Sequence, residues 1–329
     1  MSEVGGRLVD LHDALLLDLD GTVYRGSVAV PAAASTIAVA RERGLSIRYV
    51  TNNASRAPQV VAEHLVSLGV WAEVGEVSTS AQAGAAVLAE RVEAGGEVVV
   101  VGSGALVDEV AAVGLVPTRE VSGRTRAVVQ GLSHDTGWRE LAEACLAIRG
   151  GALWVACNVD KTLPTERGLL PGNGSLVAAL VAATDREPVV AGKPATPLMA
   201  RSAAGAERPL VVGDRLDTDI QGAVNAGFPS LFVLTGVSTP RDLLHAGPEA
   251  RPTHVGADLS AVLDDAGSTA IGCKAGWDVT HADGHLSVTG SGEALDLLRT
   301  LCAVWWEHGQ GAVTVSGDGL GALGLDGSG

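Results

Sequence analysis

Lysine is nearly absent: Lys161, Lys193 and Lys274 are the three in 329 residues, and arginine carries the rest of the positive charge. Acidic residues outnumber basic ones 38 to 23, for a formal net charge of −15. That balance argues against nucleic acid and anionic membrane surfaces as partners, because both select basic patches. An anionic substrate would need local help, from a metal ion or a few placed cations. The chain also lacks a charge-free apolar stretch long enough to span a bilayer. Its first residues, "MSEVGGRLVD", carry no basic-then-apolar signal pattern. Four cysteines, Cys145, Cys157, Cys273 and Cys302, are scattered without metal-ligand spacing and read as reduced thiols of a cytoplasmic protein. Apolar residues are not lacking: at 47% they suffice for the packed cores of two domains.

The apolar runs alternate with helical stretches. "ALLLDLDGT", a small-residue helix, "LSIRYV" ending in "TNNAS", and a helix from about Pro58 to Leu68 give the strand–helix order of a doubly wound parallel sheet. From about Glu93 to Val189 the alternation restarts with "EVVVVG", "AVVQGLS" and "ALWVAC" as strands. Then "VVAGKP", "PLVVGDRLDTDI" and "SLFVLTG" again pair apolar strands with polar tips. The expectation is an α/β core at 1–92 and 190–265, interrupted by an α/β cap at 93–189. A small α/β module, 266–329, follows, and its glycine-rich end reads as frayed. Trp305 and Trp306 point about a hundred degrees apart on its helix, one into the module and the other toward the core or a second subunit.

Four strand tips gather chemistry at one expected edge, where such sheets place their ligands. They are Asp18 with Asp20, Thr51 with Asn52 and Asn53, Lys193, and Asp214 with Asp219. Residues two apart on an extended segment point the same way, so Asp18 and Asp20 share a side. Acidic groups gathered at one edge repel one another unless a cation is present. Oxygen ligands of this kind suit magnesium, which often binds together with a substrate phosphate. Lys193 offsets negative charge, and the Thr51 hydroxyl donates to a phosphoryl oxygen. Carboxylate nucleophile, metal, lysine and hydroxyl are the equipment of phosphoryl transfer through an aspartyl-phosphate. Singly each motif is ordinary: a solvated turn, loop chemistry, or an acidic helix start.

These motifs resemble the four of the haloacid dehalogenase superfamily of phosphatases: "LLLDLDGTVYRG", "YVTNNAS", "AGKP" and "VVGDRLDTDIQGA". The insertion between the second and third, with "TNN", is similar to the 4-nitrophenylphosphatase-like subfamily. The cap stretches "GLSHDTGW" and "ALWVACNVDKTLPTERGLLPGNGSLVAAL" resemble those of actinobacterial glycerol-3-phosphate phosphatases. The resemblance covers roughly residues 12 to 240, and nothing in the four motifs departs from the family pattern. It implies a Rossmann-like core with an inserted cap and a magnesium-dependent phosphatase. Asp18 would be the nucleophile and Asp20 the proton donor and acceptor. Magnesium would be held by the Asp18 carboxylate, the Asp20 carbonyl and Asp214, with Asp219 binding it directly or through water. Thr51, the amide of Asn52 or Asn53, and Lys193 would hold the transferring oxygens. The substrate implied is a small phosphorylated metabolite, glycerol 3-phosphate first. Phosphoglycolate, pyridoxal phosphate and a nucleoside or sugar monophosphate are the alternatives, and a homo-oligomer is compatible.

Other signals weigh less. "VGSGALV" lacks the third glycine of a dinucleotide fingerprint, Val107 standing in its place. Gly172, Asn173 and Gly174 read equally as an anion nest or a plain helix start. Asn158 and Asp160 end a cap strand; a surface turn rivals a substrate-facing loop, and only the resemblance favours the loop, with Arg167 nearby. His134 and Asp135 read as structural. The C-terminal order of elements resembles part of an N-acetyltransferase-type fold. It is too short for a complete one and lacks the pyrophosphate loop, so a packing accessory is expected. A phosphorylated receiver module would use similar residues, but it places its acidic pair before the acceptor aspartate and lacks a cap. A silent binding protein is disfavoured, since no catalytic residue is missing.

Overall fold

A computed structural model of the chain describes residues 6–165, 167–308 and 311–326. By internal packing the chain divides into two units: Met1–Tyr49, Ser67–Trp71 and Gly205–Gly329, and Val50–Val66 with Ala72–Ala204. The boundaries expected above follow composition, whereas this division passes inside the strand Ser46–Thr51. The fold class is the expected one, α/β with parallel sheets and a small mixed sheet near the C-terminus.

In the first unit the strands His254–Gly256, Ser230–Val233, Pro209–Gly213, Ala14–Leu17 and Ser46–Thr51 stand side by side in that order, all parallel. "ALLL", "PLVVG" and "SLFV" are buried at every residue, which is why they read as unbroken apolar runs rather than alternations. Leu17 pairs with Val212 on one side and Tyr49 on the other, so Asp18 and Asp214 leave the sheet at the same edge.

The C-terminal module belongs to this unit. Trp277–Ala282 and His285–Gly290 form an antiparallel pair, Thr314–Gly317 joins in parallel, and the helix Ala294–His308 lies against them. Leu297, Leu298, Leu301 and Trp305 share one apolar cluster with Phe232, Leu243, Leu244 and Val255 of the core. Each such buried side chain contributes about 1.5–3 kcal/mol. Trp305 packs inside, while the Trp306 indole donates to the Leu244 carbonyl at 3.3 Å and lies under the Arg251 guanidinium. The two tryptophans divide as expected, and the module packs on the core through this shared cluster. The expectation of a frayed end is corrected for 318–326. Leu320–Leu323 forms a 3₁₀ turn, with Leu320, Leu323 and Leu325 buried in the same cluster. Apolar leucines among the glycines outweigh the flexibility that glycine suggests. Residues 327–329 lie outside the described residues.

His254, at the first position of its strand, bonds the Thr269 hydroxyl at 3.0 Å. Burial, then repulsion from His12 when it is protonated and from Lys274 and Arg299, push it from 6.5 down to about 4. The unfolded chain therefore takes up a proton that the folded one refuses. Stability is full above pH 6.5, falls as pH drops toward about 4, and is level below. The expected span is about 3 kcal/mol. Urea unfolding across that window should lose correspondingly less stability in His254→Gln; equal losses would remove His254 from the account.

The second unit holds a five-stranded parallel sheet in the order Val189–Val190, Leu153–Ala156, Thr125–Gln130, Glu97–Val101, Val116–Thr118. The helices Trp138–Arg149 and Asn173–Thr184 cover one face, burying Val101, Val128, Trp154 and Ala156 against Ala144, Ile148 and Val177. A hairpin, Thr162–Thr165 with Gly168–Pro171, stands apart as its own two-stranded sheet. The sequence gives no sign of it. Among the described residues, no helix is long and apolar enough to cross a membrane.

Candidate active site

The carboxylates of the first unit converge. One ligand oxygen each of Asp18, Asp214 and Asp219 lies within 4.8 Å of the other two. Asp214 and Asp219 are buried, at 0% and 1% exposure, and Asp18 is half-buried. Three like charges at that spacing repel strongly. All-oxygen donors at a sheet edge suit a hard divalent cation, so the residues present fit the group expected there.

The local chain is shaped to this cluster. Gly21 has φ +98°, and a Cβ on it would lie 2.5 Å from the Asp214 carboxylate carbon. A Cβ on Gly236 would meet Asp214 Oδ2 at 1.8 Å. Both glycines are needed for close approach. The Val237 amide donates to Asp214 Oδ2 at 2.7 Å, and the Thr22 hydroxyl to Oδ1 at 3.4 Å. The Arg215 amide donates to Asp219 Oδ2 at 3.1 Å. Asp214 is thereby held by the turn after Asp20 and by the 235–238 loop. The sequence reading missed this loop, although "SLFVLTG" carried its signal as another strand with a polar tip. Asp20, the remaining acidic residue of the motif, is exposed, while Leu19 between the pair is 1% exposed.

The second unit carries the other expected residues. Thr51 closes its strand, and its Oγ1 accepts from the Asn53 amide at 3.1 Å. Asn53 is exposed, and its side-chain Oδ1 accepts from the Ser55 amide and hydroxyl, forming a local turn. Lys193 is 2% exposed, and its Nζ donates to the Val50 carbonyl at 3.2 Å. Asn52 grips the Lys193 main chain from both sides. Its Oδ1 accepts from the Lys193 amide at 2.8 Å, and its Nδ2 donates to the Lys193 carbonyl at 3.0 Å. The same Nδ2 reaches the Asp160 carboxylate at 3.3 and 3.4 Å. Within this unit, then, Asn52, Lys193 and Asp160 come together.

One open reading closes. The Gly172 and Gly174 amides donate to the Lys161 and Asp160 carbonyls at 2.9 and 2.8 Å, so this segment is a helix start and not an anion nest. Burial pushes the Cys157 thiol up to about 12 and raises that of Cys302, so neither supplies a thiolate near neutrality.

Comparison with known proteins agrees with the geometry. Residues 15–116 match the model of haloacid dehalogenase-like hydrolases, residues 190–262 a second, HAD-hydrolase-like model, and residues 274–325 a GCN5-related N-acetyltransferase like domain. The chain belongs to the haloacid dehalogenase-like hydrolases. It is 50% identical to the D-glycerol 3-phosphate phosphatase of Mycobacterium tuberculosis over 307 residues, covering 90% of this chain and 86% of that one. It is 37% identical to the 5'-nucleotidase YutF of Bacillus subtilis, covering 74% of this chain and 94% of the relative. Among solved structures, it matches the M. tuberculosis glycerol phosphate phosphatase in complex with magnesium. The TM-score is 0.93 at 47% identity, over 97% of this chain and 99% of that one. The same phosphatase in complex with calcium matches equally well, at TM-score 0.93 and 46% identity, over 98% of this chain and 100% of that one. The 4-nitrophenylphosphatase of Thermotoga maritima matches with TM-score 0.72 at 30% identity, over 78% of this chain and 98% of that one.

Proposed function

We propose that the chain is a magnesium-dependent phosphatase that hydrolyses glycerol 3-phosphate to glycerol and phosphate through an aspartyl-phosphate. The observation that carries this reading is the oxygen cluster of Asp18, Asp214 and Asp219, in a chain 50% identical to a D-glycerol 3-phosphate phosphatase. In this proposal the domains are those expected from sequence: a core at 1–92 and 190–265, a cap at 93–189 and an accessory at 266–329.

Asp18 attacks phosphorus, the bond from phosphorus to the glycerol oxygen breaks, and Asp20 protonates the departing alkoxide. Asp20 then takes a proton from water, which attacks the aspartyl-phosphate, releases phosphate and restores Asp18. Thr51, Lys193 and the amide of Asn52 or Asn53 bind the transferring oxygens. Magnesium would be held by Asp18, the Asp20 carbonyl and Asp214, with Asp219 binding directly or through water, and would supply the positive charge that lets a carboxylate approach a phosphate dianion.

Selectivity is assigned to Asp160. Its carboxylate accepts hydrogen bonds from substrate hydroxyls and repels a second negative charge. Glycerol 3-phosphate offers two hydroxyls and no carboxylate; phosphoglycolate brings the charge that Asp160 disfavours. The test is kcat/KM over a panel of phosphorylated metabolites. Glycerol 3-phosphate should exceed phosphoglycolate by about tenfold or more, and Asp160→Ala should narrow the gap. A parent enzyme preferring phosphoglycolate would assign substrate reading to a cation instead, Arg167 first.

A further inference from the structure

Asn158 is 5% exposed and uses its one side chain twice. Its Nδ2 donates to the Asn52 carbonyl at 2.7 Å, and its Oδ1 accepts from the Asp160 amide at 3.3 Å. Behind it Asn173, 1% exposed, donates through Nδ2 to the Asn158 carbonyl at 2.7 Å and the Gln130 carbonyl at 3.4 Å. In front of it Asn52 holds the Lys193 main chain and reaches the Asp160 carboxylate. Three asparagines thus form a ladder from the interior of the second unit to Lys193 and Asp160.

Stability alone does not call for the ladder. Asn173 Oδ1 and both amide atoms of Gln130 are buried without a hydrogen-bond partner among the described residues. Gln130 pairs in register with Val101 and Ala156, both members of an apolar cluster. Buried amide atoms left unpaired in such a place are costly, so Asn173 Oδ1 and the Gln130 amide add no stability there. What the ladder does provide is fixed geometry. The Asn158 amide is planar and short, so it sets the spacing between the Asn52 carbonyl and the Asp160 amide.

We infer that Asn158, backed by Asn173, is a positioning residue that holds the substrate-reading Asp160 at a set distance from the phosphate-holding Lys193. The inference rests on the roles of Asp160 and Lys193 proposed above. It extends selectivity to a residue that touches neither the substrate nor the reacting atoms.

The test measures kcat/KM for glycerol 3-phosphate, phosphoglycolate and 4-nitrophenyl phosphate in Asn158→Ala, Asn158→Asp, Asp160→Ala and the Asn158→Ala/Asp160→Ala pair. Asn158→Ala should lower the ratio of glycerol 3-phosphate to 4-nitrophenyl phosphate about tenfold, mainly through KM, the size of one hydrogen bond to a charged group. Asn158→Asp keeps the shape and the acceptor for the Asp160 amide but loses the donor to Asn52. The oxygen in its place would belong to a buried carboxylate 2.7 Å from the Asn52 carbonyl, so the loss should equal or exceed that of Asn158→Ala. Thermal melting of both variants separates loss of position from loss of fold. In the pair, Asn158→Ala should cost no further selectivity, because both act through one carboxylate. If Asp160→Ala narrows the gap while both Asn158 variants keep parental selectivity, the ladder is overturned and the function stands. If Asp160→Ala itself leaves selectivity unchanged, the reading of Asp160 fails and this inference with it. Additive losses in the pair would likewise refute it.

Discussion

Asp18→Asn is expected to reduce turnover by at least about 10⁴-fold, because an amide is a poor nucleophile and one ligand charge is lost with it. The substitution keeps the shape, and Asp18 is only half-buried, so the protein should fold as before. Near-parental steady-state hydrolysis would end the covalent account. Asp20→Asn provides the contrast. It keeps the nucleophile but removes proton transfer, worth about 10²–10⁴-fold. The loss should be small in the first step for 4-nitrophenyl phosphate, whose leaving group needs little protonation. It should be full for glycerol 3-phosphate. Equal losses for both substrates would deny Asp20 the acid role.

The second large effect is metal removal. Asp18, Asp214 and Asp219 place three carboxylates within 4.8 Å of one another, so without a cation the site should repel a phosphate dianion. Excess chelator is expected to abolish activity, and added magnesium to restore it. Calcium takes more ligands at longer and looser distances than magnesium. It should compete for the site and support little turnover. Full activity in excess chelator would contradict this assignment.

The site was legible in sequence where chemistry follows a strand. Asp18 follows "ALLL" and Asp214 follows "PLVVG", each strand buried throughout. Parallel strands in register must release their tips at one edge, so their convergence follows from the pattern. The asparagine ladder was not legible. Asn52 meets Asn158 across 106 residues and the Lys193 main chain across 141, and such pairs leave no periodicity to read. The grip of Gly236 and Val237 on Asp214 is equally silent, because it depends on a loop's path. The hairpin at 162–171 escaped for another reason: exposed on nearly every residue and interrupted by proline, it shows neither alternation nor an apolar run.

The central claim is that the phosphoryl group passes through Asp18. Asp20→Asn mixed with 4-nitrophenyl phosphate and magnesium, quenched rapidly and analysed by peptide mass spectrometry, tests it most directly. The account predicts a burst of one nitrophenol per enzyme, with one phosphoryl group on the peptide bearing Asp18, removable by hydroxylamine. Nitrophenol release with no phosphorylated peptide, or with the phosphoryl group on another residue, would contradict it.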